Sequence, residues 1–218
     1  MKNDKIPDQL CERHPELASV KSAITEAARM IIGCYESGGK LLVCGNGGSS
    51  ADSDHFAAEL MKSFESRRPL DESLKERLTA ISGSRGRILA EKLEHALPAI
   101  SLTSNTALST AISNDIDPSL VFAQQVIGYG NEGDVLIGIS TSGNSQNIVD
   151  ACITARALNI KTIGITGKTG GMMKQLCDVL INVPEDSTAD VQELQLPVLH
   201  ILCRIVETYF YGNNKSKA

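Results

Sequence analysis

His55 and Glu59 stand four residues apart in Asp54-His55-Phe56-Ala57-Ala58-Glu59. That spacing puts an imidazole and a carboxylate on one face of a helix, where the pair can move protons near neutral pH. A merely solvated i,i+4 contact would be worth only a few tenths of a kcal/mol. What favours chemistry is the stretch just upstream, where Gly45-Asn46-Gly47-Gly48-Ser49-Ser50 follows the hydrophobic run Lys40-Leu41-Leu42-Val43-Cys44. A strand that turns sharply into a helix leaves backbone N–H groups unpaired at the positive dipole end, and an anion can dock there. Glycines let the backbone take positive φ and let a ligand come close. Ser140-Thr141-Ser142-Gly143-Asn144-Ser145 packs four hydroxyls into six residues, again between a strand and a helix start. Capping a helix needs one Ser or Thr; four together mark a phosphate site that requires no lysine or arginine. His200, amid Leu196, Val198, Leu199, Ile201 and Leu202, reads in isolation as a core histidine, and Gln192 in isolation carries no signal.

Holding these residues in place calls for strands alternating with helices. Leu17, Val20, Ile24, Ala28, Ile31, Ile32 and Tyr35 recur at helical spacing, so a helix is expected over about 16–37, stopped by Gly38-Gly39. Strands are expected at 40–44, 98–102, 134–139, 161–165 and 178–183, and helices to about 63 and over 105–112, 146–158 and 189–211. Residues 113–118 read as a polar loop, and a short helix follows the 167–171 loop. The first fifteen residues read as a loose polar arm, and 213–218 as a disordered tail. Residues 71–96 form a charged helical excursion, broken at Ser82-Gly83-Ser84, whose charges read as a solvated face. The pattern predicts an α/β fold, a doubly wound five-stranded parallel sheet flanked by helices, with ligands at the carboxyl ends of the strands.

Composition narrows the function. At 218 residues the chain fits one domain with a full core. A net charge of −5 argues against a nucleic-acid surface, and no apolar run approaches the roughly 18 residues of a membrane span. Met1-Lys2-Asn3-Asp4 does not open a signal peptide. Six scattered cysteines without a CxxC pair point to free thiols in a reducing cytoplasm rather than to disulfides or a thiolate zinc site. Gly45-x-Gly47-x-x-Ser50 approximates a dinucleotide fingerprint, but the acidic residue about twenty positions on, Glu65, does not end a second strand. Gly167-Lys168-Thr169 mimics the tail of a P-loop, yet Thr162 stands where the first glycine is needed.

Cys44-Gly45-Asn46-Gly47-Gly48-Ser49, His55-Phe56-Ala57-x-Glu59-Leu60, Gly138 through Ser145, and Gln192-Glu193 with His200 together resemble the sugar isomerase (SIS) domain. Within it they are most similar to phosphoheptose isomerases. The likeness makes 1–218 a single SIS domain, with 71–96 as an insertion. It implies that Ser140, Thr141, Ser142 and Ser145 hold a sugar phosphate, that Asn46, Gly47, Gly48 and Ser49 meet the sugar, and that Asp115 and Gln192 lie beside the substrate. Glu59 would be the base and His200 its acid–base partner. In zinc-bearing members the positions of His55, Glu59, Gln192 and His200 ligate the metal, so one zinc per subunit is implied. Members commonly carry an arginine where this chain has Asp190.

The implied activity converts sedoheptulose 7-phosphate to D-glycero-D-manno-heptose 7-phosphate through an enediol, in the cytoplasm, for surface polysaccharide. The implied assembly is a homotetramer with sites at subunit interfaces. The competing implication is a non-catalytic sugar-phosphate sensor or a replication-initiator-associating scaffold, which would have no need of both Glu59 and His200. One tension is geometric, because on a straight helix Gln192 and His200 lie about 12 Å apart axially and roughly 80° apart in azimuth. A bend at Pro197, side chains reaching from opposite sides, or a second subunit would each resolve it.

Overall fold

The computed structural model describes residues 6–212. Its centre is a five-stranded sheet of β1 (Leu41–Gly45), β2 (Ala99–Ser101), β3 (Val135–Ser140), β4 (Lys161–Thr166) and β5 (Val179–Asn182), in the order β2-β1-β3-β4-β5. Every pairing is parallel. β1 and β3 are buried along their whole length, which is why they read as continuous apolar runs rather than alternations. Among the described residues eight α-helices surround the sheet: α1 (Ile6–Arg13), α2 (Lys21–Glu36), α3 (Gly48–Met61), α4 (Glu72–Lys92), α5 (Thr106–Asp115), α6 (Val121–Tyr129), α7 (Gln146–Ala157) and α8 (Thr188–Tyr211).

Alternate strand residues feed two cores. Leu41, Val43, Ile137 and Ile139 pack with α1, α2, α3 and α8 on one face. Leu42, Cys44 and Leu136 pack with α6 and α7 on the other. The chain leaves β1 for β2 on one side and returns to β3 on the other, so the carboxyl ends of β1 and β3 flank the topological switch point, with Gly45 paired to Ile139. A doubly wound sheet has its ligand crevice there. The expected sheet is the observed one.

Three stretches differ from expectation, the first being residues 113–115, read as the start of a polar loop, which continue α5. Residues 6–13 form α1 instead of belonging to a loose arm, because Ile6, Pro7 and Leu10 make a short apolar stripe that is buried and α1 packs on α8. Residues 121–129, which carried no assigned element, form α6; Phe122, Ala123, Gln125 and Val126 are buried, a face too short to register as periodicity. Residues 1–5 and 213–218, including the expected tail, lie outside the described residues.

The charged excursion is α4, interrupted where Gly83 takes φ +45° and Ser82 leaves helical geometry. Its second arm folds back so tightly that a Cβ on Gly86 would overlap the Leu78 carbonyl. Only Gly86 and Ala90 of α4 are buried. At the other end of the chain, Ser187 caps α8 by accepting from Asp190 N at 3.2 Å, and the helix runs on without interruption through Pro197.

Candidate active site

Two turns meet at the switch point. The first leaves β1 through Gly47, whose φ of +56° suits glycine and which serves as the N-cap of α3. The preceding Gly45 is packed so closely under Ser49 that a Cβ would overlap the Ser49 carbonyl. The second turn leaves β3. Gly143, at φ +66°, lies against the Gly170 carbonyl, and its own carbonyl accepts from Met173 N at 3.1 Å. Asn144 Oδ1 accepts from Met172 N at 2.9 Å. The turn is therefore braced from outside and keeps its hydroxyls for other work.

Those hydroxyls answer the capping question. Ser145 is the N-cap of α7, yet its side chain makes no cap hydrogen bond; its hydroxyl lies 3.0 Å from that of Ser140. Ser142 Oγ accepts from Asn144 N at 3.1 Å. The first N–H groups of α7 thus stay open beside a pair of hydroxyls, an arrangement that suits a dianionic phosphate. Asn46, on the first turn, exchanges two side-chain hydrogen bonds with Asn147 of α7, each 2.9 Å.

α3 and α8 run side by side in the same direction. Near their starts Gln192 sits over Gly48, its Nε2 only 2.6 Å from where a Cβ would stand. Ser49 is buried, and its hydroxyl donates to Gln195 Oε1 at 3.5 Å. Two turns further on, His55 Nε2 is 3.4 Å from Glu59 Oε1, and the His55 and His200 rings lie 5.1 Å apart, edge to face. The structure therefore brings His55, Glu59 and His200 together. It leaves Gln192 with Gly48, about 12 Å up its helix from His200. Asp115 ends α5, where its carboxylate accepts from Asn114 Nδ2 at 2.8 Å, and it makes no hydrogen bond to either turn among the described residues.

Electrostatics sort the pair into roles. Partial burial works to raise the Glu59 carboxyl, but the Lys62 hydrogen bond and charge, helped by His55 and His200, outweigh it and hold the carboxyl below the ordinary glutamate range. Lys62 Nζ donates to Glu59 Oε2 at 2.5 Å. Burial, then the neighbouring His55, lowers the His200 imidazole below the usual histidine value despite Glu59. Near neutral pH the site thus holds an ionised carboxylate beside a neutral imidazole. His200 Nε2 is buried and has no hydrogen-bond partner among the described residues, which is costly for a polar atom unless something is meant to meet it.

Other contributors carried little local signal. Lys62 lies three residues from Glu59 and could have been picked out by its helical spacing. Arg68 and Glu207 could not, being 139 positions apart. Arg68 donates to Glu207 through Nε and Nη2, to the Leu60 carbonyl through Nη1 and to the Glu59 carbonyl through Nη2. This buried guanidinium closes the end of α3 directly behind Glu59.

The donor types around His200 fit a divalent ion such as zinc, with two imidazoles and a carboxylate and with one imidazole nitrogen orphaned. Among the described residues of one chain, however, no three His, Cys, Asp or Glu side chains already converge on a metal position.

A doubly wound sheet with two anion-ready turns at its switch point, and with a carboxylate beside a neutral imidazole, is suited to holding a phosphorylated ligand and moving its protons. The SIS domain model matches residues 10–94 and 83–167. A phosphoheptose isomerase of Campylobacter jejuni is 39% identical over 203 residues, covering 91% of this chain and 95% of its own. The structure of phosphoheptose isomerase from Neisseria gonorrhoeae superposes with a TM-score of 0.71 at 32% identity, covering 95% of this chain and 100% of that one. Its counterpart from Francisella tularensis superposes with a TM-score of 0.72 at 34% identity, covering 92% and 94%. The chain belongs to the SIS-domain family and, within it, to the phosphoheptose isomerases. It is an isomerase. No helix among its described residues is long and apolar enough to cross a membrane.

Proposed function

We propose that the protein interconverts sedoheptulose 7-phosphate and D-glycero-D-manno-heptose 7-phosphate, with Ser140, Thr141, Ser142, Ser145 and the start of α7 holding the phosphate. The observation that carries this is the ionised Glu59 beside a neutral His200 whose Nε2 has no partner among the described residues. Asn46, Gly47, Gly48 and Ser49 meet the sugar, with Asp115 and Gln192 along its chain. Glu59 takes the proton from C1 of the ketose, the electron pair forms the C1–C2 double bond, and the C2 oxygen gains a proton. His200 relays that proton from the C1 hydroxyl to the C2 oxygen, C1 becomes the carbonyl, and Glu59 returns its own proton to C2. The phosphate grip holds the chain in register throughout.

Zinc fits this reading. His55, Glu59 and His200 would hold it, and Gln192 would join them from a second copy within a homotetramer. Bound there, a divalent ion would polarise the carbonyl and steady enediolate charge. The product supplies heptose for surface polysaccharide. All six cysteines are free thiols, which suits a cytoplasmic setting.

Purified protein incubated with sedoheptulose 7-phosphate is expected to form the aldose phosphate, followed by NMR. A panel of other ketose phosphates should turn over more slowly, and faster turnover of a shorter sugar would displace the assigned substrate. Elemental analysis should return close to one zinc per chain. Finding none, with chelator leaving turnover unaffected, would remove the metal from the reading.

A further inference from the structure

We propose that Asn147 is a positioning residue for Asn46, a clasp that fixes the spacing between the sugar turn and the phosphate turn. Asn46 Nδ2 donates to Asn147 Oδ1 and Asn147 Nδ2 donates to Asn46 Oδ1, both at 2.9 Å. The two residues are 101 positions apart: Asn46 lies in the turn leaving β1, one residue beyond the Gly45–Ile139 pair, and Asn147 is the second residue of α7, the helix entered from the turn that leaves the adjacent β3. A primary amide offers two N–H donors and two acceptor positions on oxygen. The mutual pairing uses one of each, so the Asn46 amide plane is locked with one N–H and one lone pair still open. Asn46 is exposed and Asn147 half-buried. Water could satisfy both amides, so the pair adds little to folding, and its value lies in holding the Asn46 side chain ready before substrate arrives. Asn147 itself points its amide at Asn46 and not into the hydroxyl cluster of Ser140 and Ser145.

The inference rests on the reading that Asn46 meets the sugar, and a double-mutant cycle separates the two. In Asn147→Ala the KM for sedoheptulose 7-phosphate should rise about tenfold, the worth of one to two ordinary hydrogen bonds. The value of kcat, the melting temperature and competitive inhibition by inorganic phosphate should stay close to wild type, because the phosphate hydroxyls are untouched. Asn46→Ala should raise KM at least as much, and Asn46→Ala/Asn147→Ala should match Asn46→Ala. Additive effects in the double variant, or a loss of inorganic-phosphate affinity equal to the loss of substrate affinity, would overturn the clasp while leaving Asn46 its role. An Asn46→Ala enzyme with wild-type kinetics would remove the sugar contact itself, and the clasp with it.

Discussion

Replacing Glu59 with glutamine should lower kcat about 10³–10⁴-fold, the scale of a general base lost from a proton abstraction. The amide keeps the size of the carboxylate and can still accept from Lys62, so the arrangement of α3 survives and only the capacity to take a proton disappears. In the proposed reading phosphate sits a helix start away, at the hydroxyls of Ser140 and Ser145, 3.0 Å apart, so the dissociation constant for inorganic phosphate should not change. Steady-state kinetics on the variant, paired with calorimetric titration of phosphate, make the comparison. Turnover within tenfold of wild type would take the base role away from Glu59. Parallel loss of phosphate affinity would mean that the substitution had disturbed the fold.

Glu207→Ala should be strongly destabilising, costing about 3–5 kcal/mol. The Arg68 side chain is 0% exposed and that of Glu207 2%. The Glu207 carboxylate accepts from Phe64 N at 2.7 Å, Glu65 N at 2.7 Å and Ser66 N at 2.9 Å as well as from Arg68. Removing it strands a buried guanidinium and three backbone donors together. At 2–4 °C per kcal/mol for a chain of this size, the melting temperature should fall about 6–20 °C. Arg68→Met/Glu207→Leu, which removes both charges, should melt well above Glu207→Ala, because an apolar pair costs less than an unpaired buried ion. Equal melting temperatures for the single and double variants would show that the backbone donors, rather than the stranded charge, set the cost. Glu59 lies one turn from this clamp, with its carbonyl 3.3 Å from Arg68 Nη2, so activity should fall along with stability in Glu207→Ala.

Features that depend on neighbours in the chain could be read from residue order. The apolar runs of β1 and β3, the glycine turns that end them, the hydroxyl-rich Ser140–Ser145 segment and the i,i+4 pairing of His55 with Glu59 all rest on interactions within one or two turns. The family resemblance added His200 and Gln192 to that site. α1 and α6 escaped because each buries too few apolar residues to impose a period, so that only their packing partners mark them as helices.

Relations across more than a hundred positions are a different matter, since no local preference encodes them. Whether Asn46 meets Asn147, 101 positions on, depended on how β1 and β3 pair side by side. The parallel packing of α8 on α3 placed His200 against His55 and kept Gln192 with Gly48, and the same packing buried Arg68 with Glu207. Order along the chain was enough to say which groups could bind phosphate and move protons. Which of them stand within reach of one another came from the way sheet and helices bury their apolar faces, because burial chooses the neighbours and short-range hydrogen bonds and charges then act only between the groups it has brought together.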